Sequence, residues 1–594
     1  LTGVRQATTL LRTPDDLGGH VTQLSERPVQ QASLDSDGME RNVSFLGLLW
    51  ASEGSIIGSG WLFGALTAAS IAGPSAIIAW GIASVIVIVL ALVHAELGGL
   101  FPVSGGTSRF PHYAFGSFAG ATFGWFSYIQ AATVAPIEVL AAIQYASSIK
   151  AFKHLYKGST GTLSGTGIIV AVVLMFLFVI ANLVGIRWLS RVNNLLTSWK
   201  VLVPVVTVIV LLATHFHSGN FSNGGGFFVK GDEIKDILIA IPTGGIVFAL
   251  LGFEQAVQLG GESKNPGRDL PRAVIYSILL GAGLYILIQV AFIGALDPRL
   301  LADAGTWTGI ADTKTHPMLT ALNAAPFYSV ASVAGLGFLA GVLRADAFIS
   351  PAGTGLIYLT SSSRISFGLA RNGYIPMAFA KNSPRTKVPV LGVIFTAIIG
   401  LLFLLPFPSW SKLVGVVTSA SVLMYAGAPL AFGALRLQKP DLPRPYRLPF
   451  GKVLARLSFI AANFIVYWAG WGTYSTLMIV MVVGLVLMVA SSVFKLNPNQ
   501  PTVDWIAAAW VIPYLVGMGV ISYLGGFGQG AMVEGIGVFT GVWVGGNGHL
   551  HLYYDLVVLA VFSLIIFEVA MATRLSAAKV DEYVREVYPP PVAE

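Results

Sequence analysis

Three observations predict an all-α polytopic membrane protein with about fourteen spanning helices, the first and sixth of them broken. Of the 594 residues, 55% are hydrophobic and 11% charged, against about a quarter charged in an ordinary soluble protein. Runs of some 18 or more residues without a charge recur along the chain, each long enough for the ~30 Å hydrocarbon core of a bilayer. Two apolar runs are interrupted by glycine clusters, GSIIGSGWLFG at 54–64 and PTGGIVFALLGFE at 242–254. Glycine weakens a helix by about 1 kcal/mol relative to alanine, so its clustering at membrane depth needs a reason.

In chain order, spans 1 to 5 are expected near 45–72, 75–99, 117–148, 165–185 and 195–213. Spans 6 to 10 follow near 236–260, 273–296, 327–361, 388–406 and 412–434, and spans 11 to 14 near 455–472, 474–494, 505–524 and 552–573. The first two run from Gly54 to Val93 without one charged residue. With the N-terminus inside, 25 of the 35 Lys and Arg fall in cytoplasmic segments and eight outside; two, Lys200 and Arg344, lie within spans. This is the positive-inside bias of membrane insertion, carried mostly by the loops 364–387 and 436–456. The net charge of +7 therefore reads as topology and not as a nucleic-acid surface. Both termini are expected to be cytoplasmic, in a multi-pass bacterial inner (plasma) membrane protein.

Composition divides the chain into five segments. Residues 1–40 are polar and mixed, a cytoplasmic tail with no signal peptide in it. Residues 41–434 carry the first ten spans. Residues 435–454 open with LRLQKPDLPRPYRLPFGK, a basic, proline-rich cytoplasmic linker. Residues 455–573 carry four further spans with few ionisable groups and a glycine-rich loop, 525–551, expected outside. Residues 574–594 form a short cytoplasmic tail without a signalling domain. There is no cysteine, which excludes disulfides, thiol catalysis and cysteine metal sites.

Glycine-interrupted helices opening both halves of a ten-span block point to a transporter built on an inverted repeat. A helix broken in mid-membrane frees backbone N–H and C=O groups, tolerated only where the backbone lines an enclosed cavity. The half-helix ends then offer partial positive charge at N-termini and partial negative charge at C-termini. A zwitterion suits that arrangement, its carboxylate on amides and its ammonium on carbonyls. The competing explanation is close helix packing, since Gly54 to Gly58 is itself a GxxxG motif.

Ionisable residues within spans are costly and each is a functional candidate. They are Glu53, Glu138, Lys200, Glu254, Arg344 and Asp346; Glu96, Asp555 and Glu568 lie near span ends. Lys200, five residues into span 5, either snorkels to the interface or is a buried proton carrier. Asp346, Ser350 and Thr354 form an i, i+4, i+8 polar stripe. Arg344, expected near the middle of span 8, points to a different face from Asp346 and needs another partner: Glu138, Glu254 or a ligand, in which last case it binds a second substrate carboxylate and selects acidic amino acids; Glu254 is likewise a candidate substrate contact. For each deep charge the alternative is a buried pair that only holds helices together.

Other chemistries lack their residues. No GxxxxGK[ST] is present for an ATP-driven pump, and no HExxH or GxSxG for an intramembrane hydrolase. His215-x-His217 and His549-x-His551 lack clustered carboxylates for a metal site, and no channel filter is legible. No cofactor is expected.

These motifs resemble the amino acid–polyamine–organocation superfamily of transporters over residues 41–435. The marks are GSIIGSGWLFG, AELGGLFPVSGGTSRFPHYAFG (95–116), NNLLTSWK (193–200), FALLGFEQAVQLGGESKNPGRDLPRAV (248–274) and SSRISFGLARNGYIP (362–376). GSGWLFG, ADAFISPAGTG (345–355) and the fourteen spans resemble most the branch of aspartate–proton symporters. The resemblance implies a five-plus-five inverted-repeat core with alternating access and a substrate site between spans 1, 3, 6, 8 and 10. It implies that Ile57, Gly58, Ser59 and Gly60 meet a substrate carboxylate and that carbonyls near Phe248 and Gly252 meet its amine, with Phe248 as an aromatic lid. It places Lys200 where proton-coupled members carry a lysine instead of a sodium site. Glu53 is not a usual residue of the family; with Glu138 it is the candidate to influence Lys200. The expected function is proton-coupled symport of an amino acid, an acidic one first, with amino acid, protons and the lipid bilayer as partners and the oligomeric state open. An exchanger, a potassium importer of the same superfamily and a nutrient sensor that does not transport are the alternatives.

Overall fold

The computed structural model describes residues 41–157, 161–184, 186–229, 233–312, 317–384, 388–405, 408–527, 546 and 548–585. The expected tail 1–40 and most of the loop 525–551 lie outside the described residues. Each expected span overlaps one or more helices among the described residues. Among the described residues, eight helices are long and apolar enough to cross a membrane by length and composition, and two shorter apolar helices, Val390–Leu404 and Val511–Leu524, fall on spans 9 and 13. The described strands are one two-residue pair, Tyr156–Lys157 with Thr162–Leu163.

Both glycine-rich spans are broken. Span 1 is two helices, Phe45–Ile56 and Ser59–Ala72. The first is capped by Ser44, whose hydroxyl accepts from Gly47 N at 3.3 Å; it ends where Ile57 leaves helical geometry (φ −91°, ψ 87°). Span 6 is three pieces, Glu233–Thr243, Ile246–Ala249 and Glu254–Gln258. Two expected boundaries are corrected. Residues 327–361 are not one span: a short helix, Pro326–Val333, precedes span 8 proper, Gly337–Arg371. Gly335 stands between them with φ 73°, a left-handed turn that ends the first helix. Span 13 begins at Val511, because residues 505–510 form turns.

The first half of span 1, Phe45–Ile56, the inner half in the expected orientation, packs against spans 5, 7 and 8 and the last piece of span 6. The apolar window of span 3 is 100% buried and that of span 10 is 94% buried, whereas those of spans 4 and 12 are 28% buried. Spans 3 and 10 therefore sit at the centre, where their polar side chains face protein, and spans 4 and 12 present an apolar face outward.

At the expected cytoplasmic end, buried polar contacts close the molecule. Arg364 pairs with Glu262 at 3.0 Å. Glu96 at the end of span 2 accepts from Arg436 Nε at 2.9 Å, Arg444 Nε at 3.1 Å and Leu448 N at 2.7 Å, which ties the proline-rich linker to the core. His112, in the short helix Phe110–Phe115, bonds Tyr374 at 2.6 Å and meets the ring of Tyr583 in the helix Ala577–Tyr583 at a tilt, 4.4 Å between centroids. Burial, with Arg109 and Lys579 nearby, pushes its imidazole down to about 3. The ring is thus neutral, and the hydrogen bond its Nδ1 shares with the Tyr374 hydroxyl is a contribution to stability present at neutral pH and lost as pH falls below the ordinary histidine range.

Candidate functional site

The break in span 1 holds a carboxylate, and it belongs to the protein. Ser59 begins the outer half-helix, where backbone N–H groups lack helical partners. Its N–H donates to Glu138 Oε2 at 2.8 Å and its hydroxyl to Glu138 Oε1 at 3.0 Å. Trp410 Nε1 donates to the same hydroxyl at 2.8 Å. Glu138 comes from span 3, whose apolar window is wholly buried, and has no exposed surface. An anion on the first amide of a helix is favoured by both hydrogen bonding and the helix dipole. Of the four residues expected to present amides, Ile57 does not, because its N–H donates to Glu53 O at 2.9 Å. Gly58 lies between Glu138 and Thr354; a Cβ there would be 2.7 Å from Glu138 Oε1 and 2.8 Å from Thr354 Oγ1. Gly60 abuts the backbone of Ala249 in span 6.

A small cavity lies at this point, lined by Gly58, Gly60, Glu138, Phe248, Thr354 and Tyr358 among others, with about 10 Å³ open to the centre of a water-sized sphere. That is room for about one water, so the two breaks are closed on each other.

Lys200 is fully buried on span 5 and does not snorkel. Its ammonium donates to Gly54 O and, at 2.7 Å, to Thr354 Oγ1. Thr354 in turn donates to Gly54 O at 2.9 Å and Ile57 O at 3.3 Å. A cation and a hydroxyl thus cap the C-terminal end of the inner half-helix, the end with partial negative charge. The stripe Asp346–Ser350–Thr354 faces spans 1 and 5 along its length. Asp346 accepts from Trp61 Nε1 at 3.0 Å, Trp199 Nε1 at 2.9 Å and Ser350 Oγ at 2.7 Å, which joins the outer half of span 1 and span 5 to span 8.

Phe248 lines the cavity and meets Trp410 edge-on at 5.8 Å between centroids, although its carbonyl is engaged by Leu251 N at 3.2 Å. Gly252 does not reach the cavity. Its φ of 133° suits only glycine, and a Cβ would be 2.6 Å from Ile56 N, so the two breaks touch backbone to backbone there. Glu254, expected to contact substrate, is saturated by protein donors instead: Gly252 N at 2.8 Å, Tyr425 OH at 2.7 Å and Tyr358 OH at 2.9 Å. It pins the unwound segment of span 6 to spans 8 and 10. Glu53 does not pair with Lys200, and its Oε1 is buried without a hydrogen-bond partner.

Arg344 is misplaced by the sequence reading. Because span 8 starts at Gly337, Arg344 lies near its beginning and away from the cavity. It is half-buried, bonds Tyr328 OH and lies over that ring at 4.2 Å; neither Glu138 nor Glu254 is its partner. The expected result for Arg344→Gln is therefore a loss of about 0.5–2 kcal/mol of stability, the worth of a cation–π contact. Selectivity between L-aspartate and L-alanine in a competition binding measurement should not change.

Sequence reasoning missed Trp410, Tyr358, Tyr425, Trp61 and Trp199. The only signal for them is the presence of indoles and phenols within spans, whose polar hydrogens need buried acceptors.

The amino acid permease family profile matches residues 43–521. The glutamate/serine transporter AimA of Bacillus subtilis is 35% identical over 534 residues, 89% of this chain and 93% of that protein. The aspartate-proton symporter of Bacillus subtilis is 32% identical over 543 residues, 91% of this chain and 98% of that protein. A branched-chain amino acid permease of the same organism, BcaP, is 25% identical over 466 residues, 76% of this chain and 92% of that protein. With a carboxylate site at one broken helix, a second broken helix closed against it and relatives matched along nearly their whole length, the chain belongs to the amino acid permease family of membrane transporters.

Proposed function

We propose that this protein is a proton-coupled amino acid symporter of the bacterial inner membrane, with L-aspartate or L-glutamate as its first expected substrate. The ten-helix block 41–434 carries transport, and both termini are cytoplasmic by the charge distribution. The observation that carries the reading is the Ser59–Glu138 contact, a backbone amide and a hydroxyl already arranged around a carboxylate. Glu138 holds these donors in the closed state, and the substrate α-carboxylate takes them when Glu138 swings aside. Lys200 supplies the titratable cation at the other side of the break. The acidic substrate is supported by the names of two relatives, 35% and 32% identical to this chain.

Glu138→Gln tests the exchange of carboxylates. Hydrogen bonds to a charged group contribute roughly 1.5–3 kcal/mol and neutral ones about 0.5–1.5. The amide is the easier group to displace, and binding of labelled L-glutamate to purified protein should tighten about tenfold. Weaker binding of every amino acid would show instead that Glu138 holds the substrate or the fold.

A further inference from the structure

We propose that Glu53 is a second proton-carrying group, located on the inner half of span 1 and separate from the Lys200 site. The inference rests on the symport reading for its role in transport, and on geometry alone for the proton itself.

Glu53 is 3% exposed and its Oε1 is buried without a hydrogen-bond partner. It lies one turn before the break, in the helix Phe45–Ile56, which packs against spans 5, 7 and 8 and the piece Glu254–Gln258. The titratable groups on those elements at this depth are engaged elsewhere. On span 5, Lys200 binds Gly54 O and Thr354. On span 7, Tyr285 donates to Ile56 O at 2.7 Å, and Tyr276 meets the ring of Phe45. On spans 8 and 6, Tyr358 and Glu254 bond each other; Asp346 takes two indoles and a serine, and Arg364 pairs with Glu262.

Among the described residues, then, no cation and no donor answers Glu53. A bare carboxylate in such surroundings is far costlier than the neutral acid, so Glu53 carries its proton while the molecule is closed. The neighbouring break makes the inner half-helix a separate rigid piece, and its displacement toward the cytoplasm would wet Glu53. Uptake of the proton forms one O–H bond on the carboxylate, and release to the other side breaks it, with no further reactant. The group therefore charges when the helix is displaced and must be neutral again for the helix to repack, which ties one proton to each return.

Two measurements on the full-length protein test this. Infrared difference spectroscopy at neutral pH should show a protonated-carboxyl band in the wild type that Glu53→Gln lacks; Glu53→Asp should keep a shifted band. Identical spectra in wild type and Glu53→Gln overturn the proton assignment. In proteoliposomes, Glu53→Gln should retain L-glutamate counterflow while the number of protons moved per L-glutamate falls by about one. An unchanged ratio, or loss of counterflow along with uptake, overturns the coupling role. If wild type moves no protons with L-glutamate, the symport reading fails, whereas the infrared result still decides whether Glu53 holds a proton.

Discussion

Replacing Lys200 with methionine is expected to reduce L-glutamate accumulation under a pH gradient to simple equilibration, while counterflow between equal pH values survives. Lys200 has no exposed surface and holds two acceptors at the end of the inner half-helix, Gly54 O and Thr354 Oγ1. Hydrogen bonds from a charged donor contribute roughly 1.5–3 kcal/mol each, so about 3–6 kcal/mol of the attachment between spans 1, 5 and 8 depends on the proton of this ammonium. That is enough to bias which side of the membrane the site faces. Methionine keeps an unbranched apolar stem of similar length and removes the titratable group. Lys200→Arg should fail as well, because a Cβ at Gly353 would already be 3.2 Å from Lys200 Cδ and the slot has no width for a planar guanidinium. Accumulation by Lys200→Met that still follows the pH gradient, measured in proteoliposomes with labelled substrate, would place the coupling proton elsewhere.

Gly60→Val is expected to lower uptake by at least tenfold, for a reason that differs from the sequence-based one. The sequence suggests that glycine admits a ligand to the backbone. In the structure the same glycine admits the other broken helix: a Cβ at Gly60 would be 2.8 Å from Ala249 Cβ and 2.9 Å from Ala249 Cα. Ala249 belongs to the short piece Ile246–Ala249, so a valine meets backbone that cannot rotate aside. Overpacking of a tight interface costs about 1–3 kcal/mol, here borne by the closed state. Gly60→Ala should show a smaller defect in the same direction. Gly81→Ala is the control, since a Cβ there meets nothing within 4 Å; uptake should be unchanged, and stability should rise by up to about 1 kcal/mol, the helix-propensity gain of alanine over glycine. Normal uptake by Gly60→Val, with a normal thermal midpoint, would show that the two breaks need not close on each other.

The breaks were legible because glycine clusters leave a local mark, and the depth of Glu138 and Lys200 was legible because a charge stands out in an apolar run. The stripe Asp346–Ser350–Thr354 followed from helical periodicity. What each group touches was not legible. Glu254 is bound by Tyr358 and Tyr425, 104 and 171 residues further along the chain, and no local pattern announces such partners. The placement of Arg344 failed through a boundary. PFYSVASV is apolar enough to read as the start of span 8, although Gly335 ends that short helix and Gly337 begins the next one. Moving the helix start to Gly337 carries Arg344 from mid-span to the beginning of the helix. The GxxxG alternative proved complementary to the break: a Cβ at Gly54 would be 2.6 Å from Thr197 Oγ1, so the first glycine serves packing on span 5, while Gly58 serves the break.

Simultaneous recording of labelled L-glutamate entry and of internal pH in sodium-free proteoliposomes addresses proton-coupled amino acid transport most directly. An inward proton gradient should drive L-glutamate above equilibrium with acidification of the lumen in fixed proportion, and a protonophore should abolish both. Accumulation that proceeds without proton entry, or that requires L-glutamate on the opposite side, would contradict symport and make the protein an exchanger.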